Sequence, residues 1–188
     1  MKKYSILMLI AAALLLGTLL PGCASIPPAE PIEASFITAK VFFIMPNTGV
    51  TVTAGNFFRG PAINVGTQFA LWNGDTYLTS IGGREYVALN FPAGTHYFMA
   101  SGNNWYVVQA ELQAGHDYYL EVITLPGFSS PMVRLKYLEP DDPEVAEFLR
   151  KSKEITPKGK TSESMIQEAR KQLNAAMEEQ NIDRIPPL

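Results

Sequence analysis

The chain has 188 residues, of which 47% are hydrophobic and 18% charged, and its formal net charge at pH 7 is −3. This length suffices for one domain with flanking segments. The net charge is slightly negative, whereas nucleic-acid binding requires a basic face. Cys23 is the only cysteine of the sequence, which excludes a disulfide within the chain. We therefore expect no nucleic-acid partner and a domain stabilised by an ordinary hydrophobic core.

Residues 1–22 have the pattern of a lipoprotein signal peptide. Lys2 and Lys3 form a basic start, and the apolar run from Ile6 to Leu20 is shorter than the roughly 20 residues that a spanning helix needs. Leu-Pro-Gly-Cys then ends the run at Cys23. We predict cleavage before Cys23 and acylation of its thiol and its new amine. The alternative is an ordinary signal peptide cut after Ala24, at a small-x-small site.

Residues 23–35 form the predicted lipid anchor and tether. Pro27, Pro28 and Pro31 favour an extended, polyproline-like segment. Ala24, rather than aspartate, follows the cysteine, which by resemblance to the sorting rules of Gram-negative cells favours the outer membrane. We therefore predict a membrane partner, contacted through the N-terminal lipid, and a body that faces the periplasm.

Residues 36–139 read as an antiparallel β-sandwich of about seven or eight strands. In the first strand Ala39, Val41 and Phe43 alternate with Lys40 and Phe42, which is the period of a half-buried strand. Turn signals built from glycine, proline and asparagine separate the later runs. These further strands are predicted near 65–73, 76–81, 84–91, 95–101, 104–112, 117–124 and 131–138.

Two segments of the body resemble each other at an offset of 21 residues. FPAGTHYFMA and LQAGHDYYLE place Ala-Gly at the same position, with aromatic residues after it. We interpret this as one hairpin used twice, with both turns at the same end of the sheet. Strands 104–112 and 117–124 are then expected to pair. Their outward side chains would form one apolar patch, made of Trp105, Val107, Tyr119 and Ile123.

The loop 47–64 carries two adjacent aromatic residues, Phe57 and Phe58. They could contact a partner or lipid. The interpretation we favour places one of them beneath the loop, on the core.

Residues 140–188 form a charged, helical tail. Asp142 and Pro143 have the residue types of an N-cap and a first helical position, which predicts a short helix ending near Lys153. A second helix is predicted from about Ser162 to Gln180. Its apolar stripe covers about 120° and consists of Met165, Ile166, Ala169, Leu173, Ala176 and Met177. We expect this stripe to dock on the apolar patch of the body; the alternative is that both are exposed for a partner or a sugar.

No motif for catalysis or for a cofactor is found. His96 and His116 are half of a zinc site at most, since such sites take three or four protein ligands. The acidic run from Glu139 to Glu144 lacks the glycine and the terminal glutamate of an EF-hand loop. Ser129 and Ser130 are not in a Gly-x-Ser-x-Gly elbow. We predict a protein without catalytic residues, metal or cofactor.

The run from Phe36 to Glu139 resembles a family of small bacterial lipoproteins, a domain of unknown function related to PEGA-type β-sandwich domains. The matching segments are VFFIMP, FALWNGD, PAGTH and AGHDYYLEV. The resemblance implies a β-sandwich, and the family has no catalytic residues to carry over.

Two functional hypotheses follow. In the first, the protein is a non-enzymatic accessory or scaffolding lipoprotein of the cell envelope. It would contact a protein partner through the tail helix, with Met165 and Leu173, or through the loop with Phe57 and Phe58. In the second, it is a glycan- or peptidoglycan-binding module that uses outward aromatic residues such as Trp105 and Tyr119.

Overall fold

The computed structural model describes residues 37–46, 67–126, 130–180 and 182–187. Eight strands lie where the alternating pattern predicts them, because in each strand one set of alternate side chains is buried. They are β1 (Thr38–Met45), β2 (Gln68–Asn73), β3 (Thr76–Gly82), β4 (Glu85–Pro92), β5 (Gly94–Ser101), β6 (Trp105–Leu112), β7 (Asp117–Leu125) and β8 (Met132–Leu138).

The tail contains two helices and two short strands. In chain order these are α1 (Pro143–Lys151), β9 (Lys153–Glu154), α2 (Glu163–Glu178) and β10 (Asp183–Ile185). Asp142 caps α1 by accepting a hydrogen bond from the Glu144 amide at 2.8 Å, and Pro143 is the first helical residue, as predicted. Capping therefore accounts for one member of the acidic run. In the described residues, neither helix is both long and apolar enough to span a bilayer.

The described strands form two five-stranded sheets with a common core, which confirms the mainly β, sandwich-like fold. Sheet A has the order β8-β7-β1-β4-β9, and sheet B has the order β10-β6-β5-β2-β3. Inward side chains from both sheets meet between them, and Phe43 of sheet A packs edge-on against Phe98 of sheet B at 5.4 Å between ring centroids. Parallel pairs also occur, between β1 and β7, β4 and β9, and β6 and β10, so the sheets are mixed rather than wholly antiparallel.

The two Ala-Gly segments are crossings between the sheets, so their interpretation as hairpins is wrong. The first connects β4 of sheet A to β5 of sheet B, and the second connects β6 of sheet B to β7 of sheet A. Gly94 and Gly115 have φ angles of +126° and +81°, which glycine adopts at low cost. Both crossings lie at the same end of the sandwich, as predicted, because Gly94 pairs with Leu112. Since β6 and β7 belong to different sheets, the predicted pairing between them is also wrong.

Tyr118 holds the second crossing in place from inside the core. Its hydroxyl accepts a hydrogen bond from the Gln113 amide at 2.9 Å and donates one to the Glu111 carbonyl at 3.3 Å. This arrangement is similar to the tyrosine corner of Greek-key sandwiches, in which a tyrosine bonds the backbone of the preceding connection. It explains why a fully buried tyrosine follows the Ala-Gly segment.

The tail strands, which the sequence pattern does not predict, extend one edge of each sheet. After β9 the Ile155 amide donates to the Tyr86 carbonyl at 2.8 Å, and the chain then reaches β3, where the Lys158 amide donates to Thr79 Oγ1 at 3.2 Å. We call residues 155–158 the strap. It connects the β4 side of sheet A to the β3 edge of sheet B. At the opposite edge of sheet B, β10 buries Ile185 against the core.

Replacement of Ile185 by alanine is expected to lower the free energy of unfolding by about 2 kcal/mol or more, since it removes a buried aliphatic side chain from the core. Arg184→Ala on the same strand removes an exposed side chain and is expected to change it by less than about 0.5 kcal/mol. Urea denaturation of a soluble form lacking residues 1–23 would measure both. Equal effects would show that β10 is not part of the core.

Candidate functional site

The outer face of sheet B is covered by α2. Trp72, Met99 and Val107 of the sheet and Ala169 of the helix form a buried cluster. Partly buried apolar side chains surround it, from the sheet Ala70, Tyr77 and Trp105, from the helix Ile166, Leu173 and Ala176, and after the helix Ile182. The docking of the helical stripe on the body is therefore confirmed for this face.

Polar contacts fix the helix and the tryptophans. The indole nitrogen of Trp72 donates to Ser101 Oγ at 3.0 Å, which satisfies its only polar group, and the Trp105 ring lies 5.5 Å from that of Trp72. On the surface Arg170 of α2 bonds Asp75 in the β2–β3 turn at 2.7 Å. The predicted contact residue Leu173 packs into this cluster, whereas Met165 at the start of the helix is 39% exposed.

The outer face of sheet A carries a row of half-exposed aromatic rings. Phe42 on β1 lies at the centre, paired with Tyr119 on β7 and with Ala88 on β4. The Phe42 and Tyr119 rings stack at 4.8 Å with planes 20° apart, and the Tyr86 ring lies 6.5 Å from Phe42. We call Tyr119, Phe42 and Tyr86 the aromatic strip.

Polar groups border the aromatic strip. Lys40 places its ammonium 5.7 Å from the centre of the Phe42 ring, and the Tyr86 hydroxyl donates to Glu154 of β9 at 3.1 Å. Burial, reinforced by nearby carboxylates, raises the pKa of Tyr86 and of Tyr119 above the usual value of 10.0. Both hydroxyls are therefore protonated at neutral pH, and the strip presents apolar rings with neutral polar tips.

The predicted single patch of Trp105, Val107, Tyr119 and Ile123 does not exist. These residues do point away from the core, but β6 and β7 belong to different sheets. Trp105 and Val107 therefore lie under α2 on one side of the sandwich, and Tyr119 lies on the other side. Trp105 and Tyr119 therefore cannot both contact the same small ligand.

Phe42 and Tyr86 are not among the site residues predicted from the sequence. Phe42 had a usable signal, since it lies out of phase with the buried residues of β1 and so points outward. Tyr86 is in phase with half-buried positions of β4, and only the pairing of β4 with β1 brings it beside Phe42. Cys23, Phe57 and Phe58 lie outside the described residues.

The two histidines have different environments. His96 Nε2 donates to the Pro92 carbonyl at 2.9 Å, so Nδ1 is the acceptor for the Asn73 amide at 3.0 Å. The His96 ring stacks on that of Phe98, with 5.7 Å between the ring centroids, and its centroid lies 5.5 Å from that of the Phe91 ring. Both phenylalanines belong to the core. His116 is exposed in the second crossing. In the described part of the chain, no three histidine, cysteine, aspartate or glutamate side chains are grouped so that they could hold a metal ion.

Glu121 lies beside the aromatic strip on the same face and is almost fully buried at the end near α1. Its carboxylate is 3.9 Å from Lys136, which in turn is 3.9 Å from Glu144 at the start of α1. Burial raises the pKa of Glu121 above the usual 4.5, and Lys136 opposes this only in part. The charged form of Glu121 is thus costly in the folded protein.

In comparisons with known proteins, no family model, no curated protein and no solved structure matches this chain. The resemblance to small bacterial lipoproteins therefore stays a prediction.

Because Trp72 and Trp105 are the only tryptophans and both lie against α2, their fluorescence reports helix docking. Ala169→Asp places an unpaired carboxylate in the buried cluster and is expected to undock the helix and cost about 2 kcal/mol or more. The emission should shift to longer wavelength, and acrylamide quenching should increase. Asn174→Asp adds the same charge to an exposed position of α2 and should leave both unchanged. An unshifted spectrum in the Ala169 variant would contradict the docking.

Glu121→Gln is expected to raise the free energy of unfolding at pH 7. An acid with a raised pKa binds its proton more tightly in the folded state, so wild-type stability falls as the pH rises from 4.5 through the raised value. The advantage of the variant should therefore shrink at and below pH 4.5. Denaturation across this pH range measures it, with Glu144→Gln, an exposed neighbour of the same lysine, as the control. A pH-independent difference would be inconsistent with titration of Glu121.

Proposed function

We propose that the protein is a lipid-anchored, non-enzymatic accessory protein of the cell envelope that binds a protein partner through the aromatic strip. The observation that supports this choice of surface is an asymmetry between the two sheets. The apolar outer face of sheet B is covered by α2, whereas Tyr119, Phe42 and Tyr86 on sheet A are only half-buried. The apolar stripe of the tail helix is used inside the molecule, which moves the proposed contact from the tail to the body.

The composition of the strip supports a protein partner. Aromatic side chains are enriched at the centres of protein interfaces, where they bury a large area with little loss of conformational freedom. Tyr86 and Tyr119 add hydroxyl groups that can hydrogen-bond at the rim. Exposed Lys40, Asn90 and Asp117 surround the rings, so the strip has the apolar centre and polar border of an interface.

The proposed anchor would keep this surface near the membrane. Residues 23–35 would span about 40 Å if extended at about 3.1 Å per residue, and they precede β1, which begins at Thr38. Removal of Lys2 and Lys3 with the signal peptide would change the formal charge from −3 to −5. Lipid rather than charge would therefore hold the protein at an anionic surface. The resemblance to small bacterial lipoproteins supports the same role.

Glycan or peptidoglycan binding is the second candidate, and the row of aromatic rings is the observation that favours it. Sugars stack on exposed aromatic faces. Here, however, Phe42 and Tyr119 stack on each other, so each has one face already occupied. This leaves fewer free faces for sugar rings than three separate aromatic residues would provide, and it makes the protein partner the better-supported candidate.

Removal of the central stack by Phe42→Ala with Tyr119→Ala should abolish capture of the partner when the full-length lipoprotein is cross-linked in membranes and its partners are identified by mass spectrometry. Met177→Ala, which removes a 47% exposed side chain on α2, is the control and should retain the partner. Since both aromatic residues lie outside the core, the double variant should keep its fold, as checked by its unfolding transition.

The same variants should be tested with purified peptidoglycan. Loss of peptidoglycan binding in the double variant, together with an unchanged protein partner, would favour the second candidate. Retention of every partner by the double variant would contradict the proposed function.

A further inference from the structure

The outer edge of β4 is only partly covered. β9 pairs with it at Glu85 and Tyr86, where the Lys153 amide donates to the Arg84 carbonyl and the Ile155 amide to the Tyr86 carbonyl, both at 2.8 Å. Alternate residues of a strand direct their backbone groups to the same side. Ala88 and Asn90 therefore also direct their N–H and C=O groups away from β1, and no described residue pairs with them.

The uncovered part of this edge has defined limits. At one end, the tail segment that follows β9 stops pairing with β4 after Ile155, whose side chain packs against the core. At the other end Pro92 has no N–H, and its carbonyl is occupied by His96. Between these limits two N–H and two C=O groups have no partner among the described residues, and they belong to residues whose side chains are small or exposed.

This open edge adjoins the aromatic strip. Ala88 lies directly opposite Phe42 on β1, and it follows Tyr86 on the same face of β4. Its methyl group is the smallest side chain in that row, so it leaves room beside the two rings. On the other face, half-buried Leu89 packs against the core. A strand added here would place alternate side chains beside the strip and over Leu89.

We propose that the partner presents an extended segment that adds to sheet A beside Ala88 and Asn90, in line with β9, and places an apolar side chain over Ala88 between Phe42 and Tyr86. This inference rests on the proposed function, because it specifies how the strip is recognised. Backbone donors and acceptors repeating every second residue match a peptide main chain, whereas a glycan has no such repeat.

The structure already contains this mode of binding at the adjacent position. β9 is a two-residue extended segment on the same edge, and its Glu154 carboxylate accepts the Tyr86 hydroxyl on the outer face. It therefore combines main-chain pairing with a side-chain contact to the strip. The proposed segment would repeat that combination two residues further along β4.

The other sheet edges are covered or blunted. On β8 the Asn104 side chain bonds both the N–H and the C=O of Val133, at 2.6 and 2.9 Å, and Arg134 and Lys136 add charge. On β3, Thr79 bonds the strap at Lys158, and β10 is followed by Pro186 and Pro187. Charges, proline and covering segments are the usual protection of an edge. Of the described residues, only Pro92 protects the Ala88–Asn90 edge, at its end.

A second copy of the chain fits this edge poorly. Antiparallel pairing of two β4 strands about Leu89 would bring Pro92 of each copy onto β9 of the other. A free segment that begins beyond Ile155 meets no such obstacle. We therefore assign the edge to a different protein rather than to a dimer.

The test begins with a photoreactive amino acid at Asn90 in the full-length lipoprotein, and mass spectrometry identifies the partner segment that it cross-links. A synthetic peptide with that sequence is the probe for binding to the lipoprotein in detergent. Asn90→Pro removes the outward N–H without removing a bond to β1, and proline is tolerated on edge strands with this orientation. It should weaken peptide binding about ten-fold or more. Asn90→Thr changes the side chain but keeps the N–H, and it should bind within about two-fold of wild type.

Ala88→Pro is a second variant with the same expected loss, and unchanged unfolding transitions would establish that the proline variants fold. No cross-link from position 90, or equal binding by the proline and threonine variants, would overturn strand addition. If Phe42→Ala with Tyr119→Ala still abolished binding in that case, the proposed function would stand with a face-only contact. If that double variant also bound normally, the proposed function would fail as well.

Discussion

The docking of α2 on the tryptophan face of sheet B is the interaction on which the rest of the structure depends. It buries Trp72 and Val107, which would otherwise form an exposed apolar face of the sandwich. It also fixes the two segments that flank the helix, since α2 follows the strap bonded to Thr79 and precedes β10, which pairs with β6. The charged C-terminal region thus supplies the layer that covers one sheet and an edge strand of each sheet.

The sequence predicts the strands of the body well because one face of each is buried. In β1 and β7 the alternating residues Val41, Phe43, Leu120 and Val122 are buried as the period of two requires. β9 and β10 are not predicted, since strands of two and three residues are too short to show a period, and their letters, Lys-Glu and Asp-Arg-Ile, are mostly charged. Such strands form because the body offers them an open edge, which is a property of the tertiary structure.

Pairing between strands is less predictable than the strands themselves. The Ala-Gly segments have turn chemistry, and glycine with positive φ serves a hairpin and a crossing between sheets equally well. The outward direction of Trp105 and of Tyr119 follows from alternation alone, but their separation onto opposite faces depends on the crossing at Gly115. The sequence therefore identifies aromatic residues that point outward. Only the topology shows that Trp105 is covered by α2 and that Tyr119 is not.

The tail also shapes the surface that it does not cover. β9 supplies the carboxylate that holds the Tyr86 hydroxyl, and its departure at Ile155 sets where the open edge of β4 begins. α1 packs on the same sheet beyond the strip, where Glu144 and Glu121 flank Lys136. A deletion after Ile155 would remove the strap together with α2 and β10, and it would expose both tryptophans. Loss of a partner in such a protein would follow from damage to the body whichever surface the partner contacts. Single substitutions on the aromatic strip and on the β4 edge leave the tail in place, and they therefore separate the contribution of the surface from that of the fold.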